Sequence, residues 1–311
     1  EVSGLSTSGV LLSSVSPAVQ NLWFSSLGTM YMRQGAERSF EVAGQADVKG
    51  AAGAWVRLYG NDGSMSPEAK RSNFGDVGSQ DFSLNSSGIE AGIGYSFNSA
   101  WTVGVFGGIN QGDYRPDVGG KVSIDGNTWG GYVTYTPGNG FYADLSYRDI
   151  GFDGDTLYSG SNQHLDGDAS GFSLEMGYGF KMQSGLEIEP QLQYSAVSVD
   201  LDNVDYISGD FELTDGDAAQ LRIGTAFRKS FNQDSGIWVP YGAISYIQNY
   251  DGSNNYLIGG VLNGQVDTSG GSMLLELGTD ARYGNFDFNV GVGWQDGGAY
   301  NSVLNGQVNV R

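Results

Sequence analysis

Residues suited to bond-breaking chemistry are few in this sequence, and they form no recognised catalytic pattern. The only histidine is His164, and Asp166 follows it two positions later. A histidine beside a carboxylate can act as a general base, but both residues fall in a segment expected to be an exposed loop. The sequence has no Gly-x-Ser-x-Gly, His-Glu-x-x-His or phosphate-binding glycine loop. We therefore expect no enzyme activity and no cofactor.

A run of carboxylates between two predicted strands is the second chemical candidate. Its members are Asp200, Asp202, Asp205, Asp210, Glu212, Asp215 and Asp217. Carboxylate clusters can bind Ca²⁺ or Mg²⁺, yet this spacing matches no known metal-binding loop. Solvation of an exposed loop is the simpler interpretation, so we predict no metal site.

Composition and charge exclude several classes of protein. The 311 residues carry a net charge of −20, whereas a protein that binds nucleic acid usually presents basic patches, so nucleic acid is not an expected partner. The chain has no cysteine and therefore no disulfide. Mean hydropathy is −0.26, and no apolar run approaches the roughly 20 residues that a membrane-spanning helix needs. A strand of a membrane barrel is apolar on one face only, so low average hydropathy leaves that class open.

From Ala52 onward, apolar residues alternate with glycine and polar residues. The segment from Phe172 to Phe180 is apolar at every second position, with Ser173, Glu175, Gly177 and Gly179 between. Alternate side chains of a strand point to opposite faces, so one face suits lipid and the other a polar lumen. About twelve such segments are predicted, at 52–60, 84–97, 101–112, 122–136, 141–152, 169–181, 186–200, 217–231, 236–250, 270–284, 285–296 and 300–311.

The connections between these segments alternate in length. Short ones lie at 98–100, 137–140, 182–185, 232–235 and near Gly284, and long ones at 61–83, 113–121, 153–168, 201–216 and 251–269. Outer-membrane barrels have short periplasmic turns and long external loops. Aromatic residues near the predicted strand ends would form the interfacial belts, as Trp101, Tyr147 and Trp238 illustrate. The sequence therefore predicts a transmembrane antiparallel β-barrel of about 12 strands, in the outer membrane of a Gram-negative bacterium.

One helix is predicted ahead of the barrel. Ser16 and Pro17 suit the N-cap and first position of a helix, and Val19, Trp23, Leu27 and Met30 follow at helical spacing. Polar positions on this helix include Gln20, Asn21, Ser26 and Arg33. We expect a linker at 1–16, the helix at 17–38 and the barrel at 39–311.

Polar and charged side chains on the face opposite the apolar set should line the lumen. The candidates are Arg57, Glu90, Asp144, Arg148, Glu175, Glu189, Gln191, Arg222, Arg228, Glu276 and Arg282. A charge on the lipid face would cost roughly 2–4 kcal/mol at mid-bilayer, whereas a charge in the lumen can be paired or solvated. These residues could line a passage and position the helix, or simply pair with one another across the lumen.

Four segments resemble the translocator (β) domain of autotransporters, the type V secretion proteins. Ala54-Trp55-Val56-Arg57 resembles the family's first strand, and Glu189-Pro190-Gln191 resembles its Glu-Pro-Gln strand. Trp238-Val-Pro240-Tyr241 and the hairpin from Gly131 to Tyr142 resemble two further segments. The resemblance covers residues 17–311 and gives most weight to Arg57 and Glu189.

The resemblance implies that the α-helix lies inside the pore and leads to an N-terminal passenger, which the barrel exports and anchors. The implied partners are that passenger, outer-membrane lipid and the barrel-assembly machinery, and the barrel would act as a monomer. Such barrels usually end in an aromatic residue, so the resemblance implies a few residues beyond Arg311. Two alternatives remain: a general porin, and an inverse autotransporter, in which the passenger follows the barrel.

The helix also resembles a self-cleavage motif. Val19-Gln20-Asn21-Leu22 is similar to the Val-Asn-Asn-Leu of the self-cleaving enterobacterial serine-protease autotransporters. In those proteins the first Asn attacks its own backbone. Gln20 stands in its place here and cyclises less favourably, so we expect Asn21 to be only a polar residue of the pore helix.

Overall fold

The computed structural model describes residues 5–28, 52–70, 80–205, 210–233 and 236–311. Two helices come first, α1 (Thr7–Ser13) and α2 (Val15–Leu27). The helical region therefore begins before the predicted start at Pro17, because the Ser6 side chain caps α1 by accepting from the Gly9 N–H at 3.2 Å. Residues 7–16 were expected to be linker, and that prediction is wrong. Helix α2 ends before Gly28, whose φ of 60° breaks the helical path, and the rest of the predicted helix, including Arg33, lies outside the described residues.

Twelve antiparallel strands close into a barrel, as predicted. They are β1 (Ala52–Met65), β3 (Phe82–Ser96), β4 (Trp101–Pro116), β5 (Lys121–Tyr135), β6 (Phe141–Tyr158), β7 (Ser161–Tyr178), β9 (Leu186–Leu201), β11 (Asp217–Lys229), β13 (Gly236–Asp251), β16 (Gly270–Tyr283), β17 (Phe286–Gly297) and β18 (Tyr300–Val310). Neighbours in this order pair with each other, and β1 closes the barrel on β18 with Val56 opposite Val310. Two short strands, β8 (Phe180–Lys181) and β12 (Phe231–Gln233), extend the sheet at its short-turn end.

A second sheet covers the long-loop end of the barrel. It consists of β2 (Glu68–Lys70), β10 (Phe211–Asp215), β14 (Ser253–Ile258) and β15 (Leu262–Asp267), in the order β10-β14-β15-β2. We call it the cap sheet. Segments 201–216 and 251–269 were predicted to be loops, and they supply most of it. Residues 153–168 are likewise a hairpin of β6 and β7 that continues beyond the apolar belt, with its turn at Ser159 and Gly160.

The outward face of the barrel is apolar through the middle of the strands. Exposed side chains there include Ile93, Val105, Ile244, Leu277 and Val292, each 45–67% exposed. Aromatic residues lie nearer the strand ends, where Trp101 and Tyr135 have ring centroids 4.6 Å apart. Among the described helices, none is long and apolar enough to cross a membrane.

The lipid-facing surface gives a direct prediction. Leu277 lies midway along β16 and is 67% exposed, so Leu277→Lys should destabilise the barrel in lipid by roughly 2–4 kcal/mol. The matched control is Leu157→Lys near the outer end of β6, which should cost about 1 kcal/mol or less. Unfolding by urea in lipid vesicles measures both variants, and equal losses would contradict a lipid belt at the level of Leu277.

The apolar residues change faces where the strands leave this belt. In β6, Leu145 and Tyr147 point outwards, whereas Ile150 and Phe152 are buried inside. Strand β9 makes the same change, from Leu192 and Tyr194 outside to Val197, Val199 and Leu201 inside. The half of the lumen nearer the short turns, which we call the inner half, is therefore polar. The half nearer the long loops, the outer half, is filled with apolar side chains.

Candidate transport pore

The two helices fill the outer half of the lumen. Leu11, Leu12, Val15, Val19 and Trp23 are buried by 98% or more of their surface. They belong to one apolar cluster with residues of the barrel wall and the cap sheet, such as Phe82, Ile150, Val199, Phe211 and Val266. Burial of each large apolar side chain contributes about 1.5–3 kcal/mol, so this cluster holds the helices firmly in the barrel.

The C-terminal end of α2 is held by Arg57 of β1. The Arg57 guanidinium is 1% exposed and donates to the carbonyl oxygens of Ser26 and, at 3.4 Å, Leu27. The carbonyl of Gly28 accepts from Nε2 of Gln193 at 3.2 Å. The last carbonyls of a helix lack intrahelical partners and carry partial negative charge. Arg57 supplies both the hydrogen-bond donors and the positive charge that stabilise this end of the helix.

Glu90 and Arg148 form an ion pair beneath the helix. Both side chains are buried, at 0% and 1% exposure, and the second contact joins Arg148 Nη2 to Glu90 Oε2 at 3.3 Å. The guanidinium lies over the Phe106 ring, 4.9 Å from its centroid. Trp23 of α2 donates from its indole N–H to the Arg148 carbonyl at 3.4 Å. The pair therefore links three strands to each other and to the pore helix.

A second charge network lies on β7, β9 and β11. Arg228 Nη1 is 3.2 Å from Glu189 Oε1, and Arg222 Nη2 is 3.6 Å from Glu175 Oε1. Nε of Arg222 also donates to Gln193 at 2.9 Å. Opposite charges and amides therefore alternate across adjacent strands, which is how buried ions avoid a large desolvation penalty.

All the side chains predicted to face the lumen point inwards. Ten of them are buried, namely Arg57, Glu90, Asp144, Arg148, Glu175, Glu189, Gln191, Arg222, Arg228 and Glu276. Arg282 is 15% exposed and forms a bidentate pair with Asp287, at 2.6 and 2.7 Å. Asp144 accepts from Thr134 at 2.5 Å. Their placement matches the expected face of each strand, while their role in a passage stays a prediction.

A cavity of about 120 Å³ lies beside the C-terminal half of α2. Asn21, Phe24, Arg57, Arg222 and Glu276 are among the residues that line it. The space is large enough for several water molecules. The helix therefore packs closely against one side of the inner lumen and leaves room on the other.

The remaining chemical candidates lie away from any catalytic geometry. Gln20 and Asn21 are buried on α2 at 2% and 3% exposure, and Asn21 Oδ1 accepts from Asn61 at 3.5 Å. His164 was predicted to lie in a loop, but it lies in the outer part of β7. Its side chain is 63% exposed, with nitrogens 3.5 Å from Asp155 and 3.2 Å from Asp166.

Several carboxylates lie close to Asp168 in the outer part of β7. Burial and then the nearby carboxylates of Asp149, Asp200 and Asp202 raise the pKa of Asp168, which lies beyond the aromatic belt. Within the described ranges, no group of three metal-binding side chains is close enough to hold an ion.

Gln193 and Asn254 are examples of residues that contact the helical region and were missed by the sequence analysis. Gln193 lies two positions after Gln191 on the same face of β9, so the alternation could have identified it. Asn254 contacts Ser16 and Gln20 of α2, but its segment was predicted to be a loop, and no sequence pattern indicated that it would be buried.

A closed twelve-stranded barrel with helices in its lumen defines this class of fold, and three solved structures share it. The β domain of the Bordetella autotransporter BrkA superposes with a TM-score of 0.66 at 21% identity, covering 84% of this chain and 98% of that one. The transport unit of AIDA-I from Escherichia coli gives 0.66 at 15%, covering 96% and 98%. The translocator domain of NalP from Neisseria meningitidis gives 0.58 at 14%, covering 90% and 94%.

The family model for the autotransporter β-domain matches residues 54–295, so this chain belongs to that family. A sequence comparison with curated proteins found no match. The chain is an outer-membrane translocator domain, as the resemblance implied. Membership implies a passenger on its N-terminal side and residence in a Gram-negative outer membrane.

Proposed function

We propose that this barrel exports an N-terminal passenger through its own lumen and then holds the passenger's C-terminal end at the cell surface. The supporting observation is the path of the chain. Helix α1 lies at the long-loop end, where Ser13 donates to Gln80 at 3.1 Å. Ala52 lies at the opposite end, paired with Tyr95 beside a short turn.

This path favours passenger export over the alternatives. The chain runs from the external mouth through Gly28, deep in the lumen, and next appears at the periplasmic end of β1. A passenger that precedes Glu1 would therefore emerge at the cell surface. A general porin has no need of helices buried in its lumen. In an inverse autotransporter, a segment after Arg311 would have to enter the lumen from the periplasmic end, where Arg311 pairs with Asp287. Here the outer lumen is already filled by helices that precede β1.

The proposed role is mechanical and does not require catalysis. The apolar outer core closes the lumen behind the passenger, and the inner charges and Arg57 hold the helix in place. His164 supports no catalytic role, since its exposed side chain lies outside the lumen. The barrel needs no second copy to form its pore, because its own twelve strands enclose it, so the proposed role is that of a monomer. Its partners are the passenger, the surrounding lipid and the machinery that inserts barrels.

Epitope tags placed at the two ends of the chain test this proposal. We expect a tag fused ahead of Glu1, behind a secretion signal, to bind antibody on intact cells. A tag after Arg311 should stay inaccessible until the outer membrane is permeabilised, and a tag in the turn between Tyr283 and Phe286 is the matched periplasmic control. Display of the tag after Arg311 with a hidden N-terminal tag would instead establish an inverse autotransporter.

A further inference from the structure

Asn254 is a polar side chain at the centre of the apolar outer core. It lies in β14 of the cap sheet with 0% exposure, and Val266, its partner across the sheet, is equally buried. An amide in such surroundings lowers stability unless its polar atoms are all hydrogen-bonded. The partners of Asn254 therefore carry more energetic weight than those of an exposed residue.

The Asn254 amide joins the cap sheet to the pore helix. Its Oδ1 accepts from Ser16 Oγ and, at 2.9 Å, from Gln20 Nε2. Its Nδ2 faces Gln20 Oε1 at 3.3 Å. The same Nδ2 donates to the carbonyls of Gly252 and Val266 at 2.9 and 3.2 Å. One side chain thus bonds to its own hairpin and to two helical positions.

Gln20 extends this connection to the barrel wall. Its Nε2 also donates at 2.9 Å to the carbonyl of Gly216, which lies just before β11 and also accepts from the Val199 N–H of β9. The helix, the cap sheet and the wall therefore meet at two amide side chains. Both amides are almost fully buried, since Gln20 is 2% exposed.

The spacing of the two helical partners makes the contact sensitive to the position of the helix. Ser16 and Gln20 are four residues apart and share one face of α2. A shift of one residue moves the helix about 1.5 Å along its axis and turns that face by about 100°. Such a shift would leave the amides of Asn254 and Gln20 facing apolar side chains, without their partners.

We propose that Asn254 is a positioning residue whose pairing with Gln20 sets the depth and rotation of the pore helix and keeps the cap sheet closed over it. A single buried polar residue sets register in other helical assemblies by the same physics. Arg57 holds the C-terminal end of α2, and Asn254 holds its N-terminal half. The inference concerns the closed barrel and does not depend on the direction in which a passenger travels.

Channel recordings of the purified full-length chain in planar bilayers test the pairing. In Asn254→Leu, the Gln20 amide keeps only its bond to the Gly216 carbonyl, and in Gln20→Leu, Asn254 keeps only Ser16 as a partner on the helix. We expect the open probability of each variant to rise about tenfold, equivalent to roughly 1.4 kcal/mol. The double variant should open no more often than either single variant, because both buried amides are then gone. Asn255→Leu is the matched control and should behave as wild type, since Asn255 bonds to Asp215 within the cap sheet.

A cross-linking measurement separates positioning from a general loss of structure. The chain has no cysteine, so Asn21→Cys with Asn61→Cys introduces one thiol pair at the native helix position. A short thiol cross-linker should join this pair in an otherwise unchanged chain, and much less often when Asn254→Leu is added. Circular dichroism verifies the barrel in each variant. Three results would each overturn the proposal. They are additive effects of the two leucine substitutions on the open probability, an equal effect of Asn255→Leu, and unchanged cross-linking in Asn254→Leu.

Discussion

Removal of residues 1–38 is expected to convert a closed barrel into an open pore with a several-fold higher conductance. Helices α1 and α2 fill the outer lumen, where Leu11, Val15, Val19 and Trp23 are almost fully buried. A barrel of about twelve strands encloses enough space for a helix. Removal of the helices empties that space and also releases the cap sheet from Ser16 and Gln20, so a path through the barrel opens. Planar-bilayer recordings of the full chain and the truncated chain measure the difference.

The truncation should also lower stability. The inward-facing side chains of Ile150, Phe152, Val197 and Val199 lose their apolar neighbours and become exposed in the emptied lumen. Each side chain that becomes exposed forfeits up to about 1.5–3 kcal/mol, so the truncated barrel should unfold at a markedly lower temperature. The cap sheet loses its contacts with Ser16 and Gln20 at the same time.

Adding the missing helix back provides the control. A synthetic peptide of residues 5–28 should lower the conductance of the truncated barrel again. The same peptide with Trp23→Asp should not, because it would bury a charge among apolar side chains. Equal conductance of the full and truncated chains would contradict the model of a plugged pore, even if the barrel itself remains intact.

Glu90→Leu is expected to destabilise the barrel by about 3–5 kcal/mol. The substitution removes the carboxylate that forms a bidentate pair with Arg148, whose side chain is 1% exposed. Arginine stays charged at any pH that a protein tolerates, so the buried guanidinium cannot avoid the penalty by losing its proton. Unfolding by urea in lipid vesicles measures the loss.

The double variant Glu90→Leu with Arg148→Met should recover most of that stability. Replacing both members of a buried ion pair with apolar residues is often neutral, because no uncompensated charge remains. Glu90→Gln keeps the shape of the side chain without its charge, so it should fall between wild type and Glu90→Leu. A double variant as unstable as Glu90→Leu would show that the pair has no coupled role, and that packing at position 90 explains the loss.

Much of the barrel was predictable because its surroundings impose a simple pattern. Lipid requires an apolar outer face, and closure requires that every strand is paired, so alternation along each strand identifies both the strand and its orientation. This is why Arg57, Glu175 and Glu189 could be assigned to the inner face by their positions in the sequence. The alternation of short and long connections likewise indicated which end is external.

The predictions failed where the strands leave the membrane. Residues 153–168 and 251–269 looked like loops, since most of their outward side chains are polar and no lipid-facing alternation remains. The apolar residues are still present, at Phe152, Leu165 and Val266, but on the inner face. A change of face along one strand could therefore reveal the outer core in related sequences.

Local periodicity and contact with lipid make the twelve strands, the two faces of each strand and a helix ahead of them predictable from the sequence alone. What fills the pore depends on the tertiary structure. The helical region begins with α1 at Thr7, the end of α2 is bound by Arg57, and Asn254 reaches α2 from a distant hairpin. Such contacts join residues up to 238 positions apart in the chain, and they depend on how the closed barrel brings its inner surface around the helix.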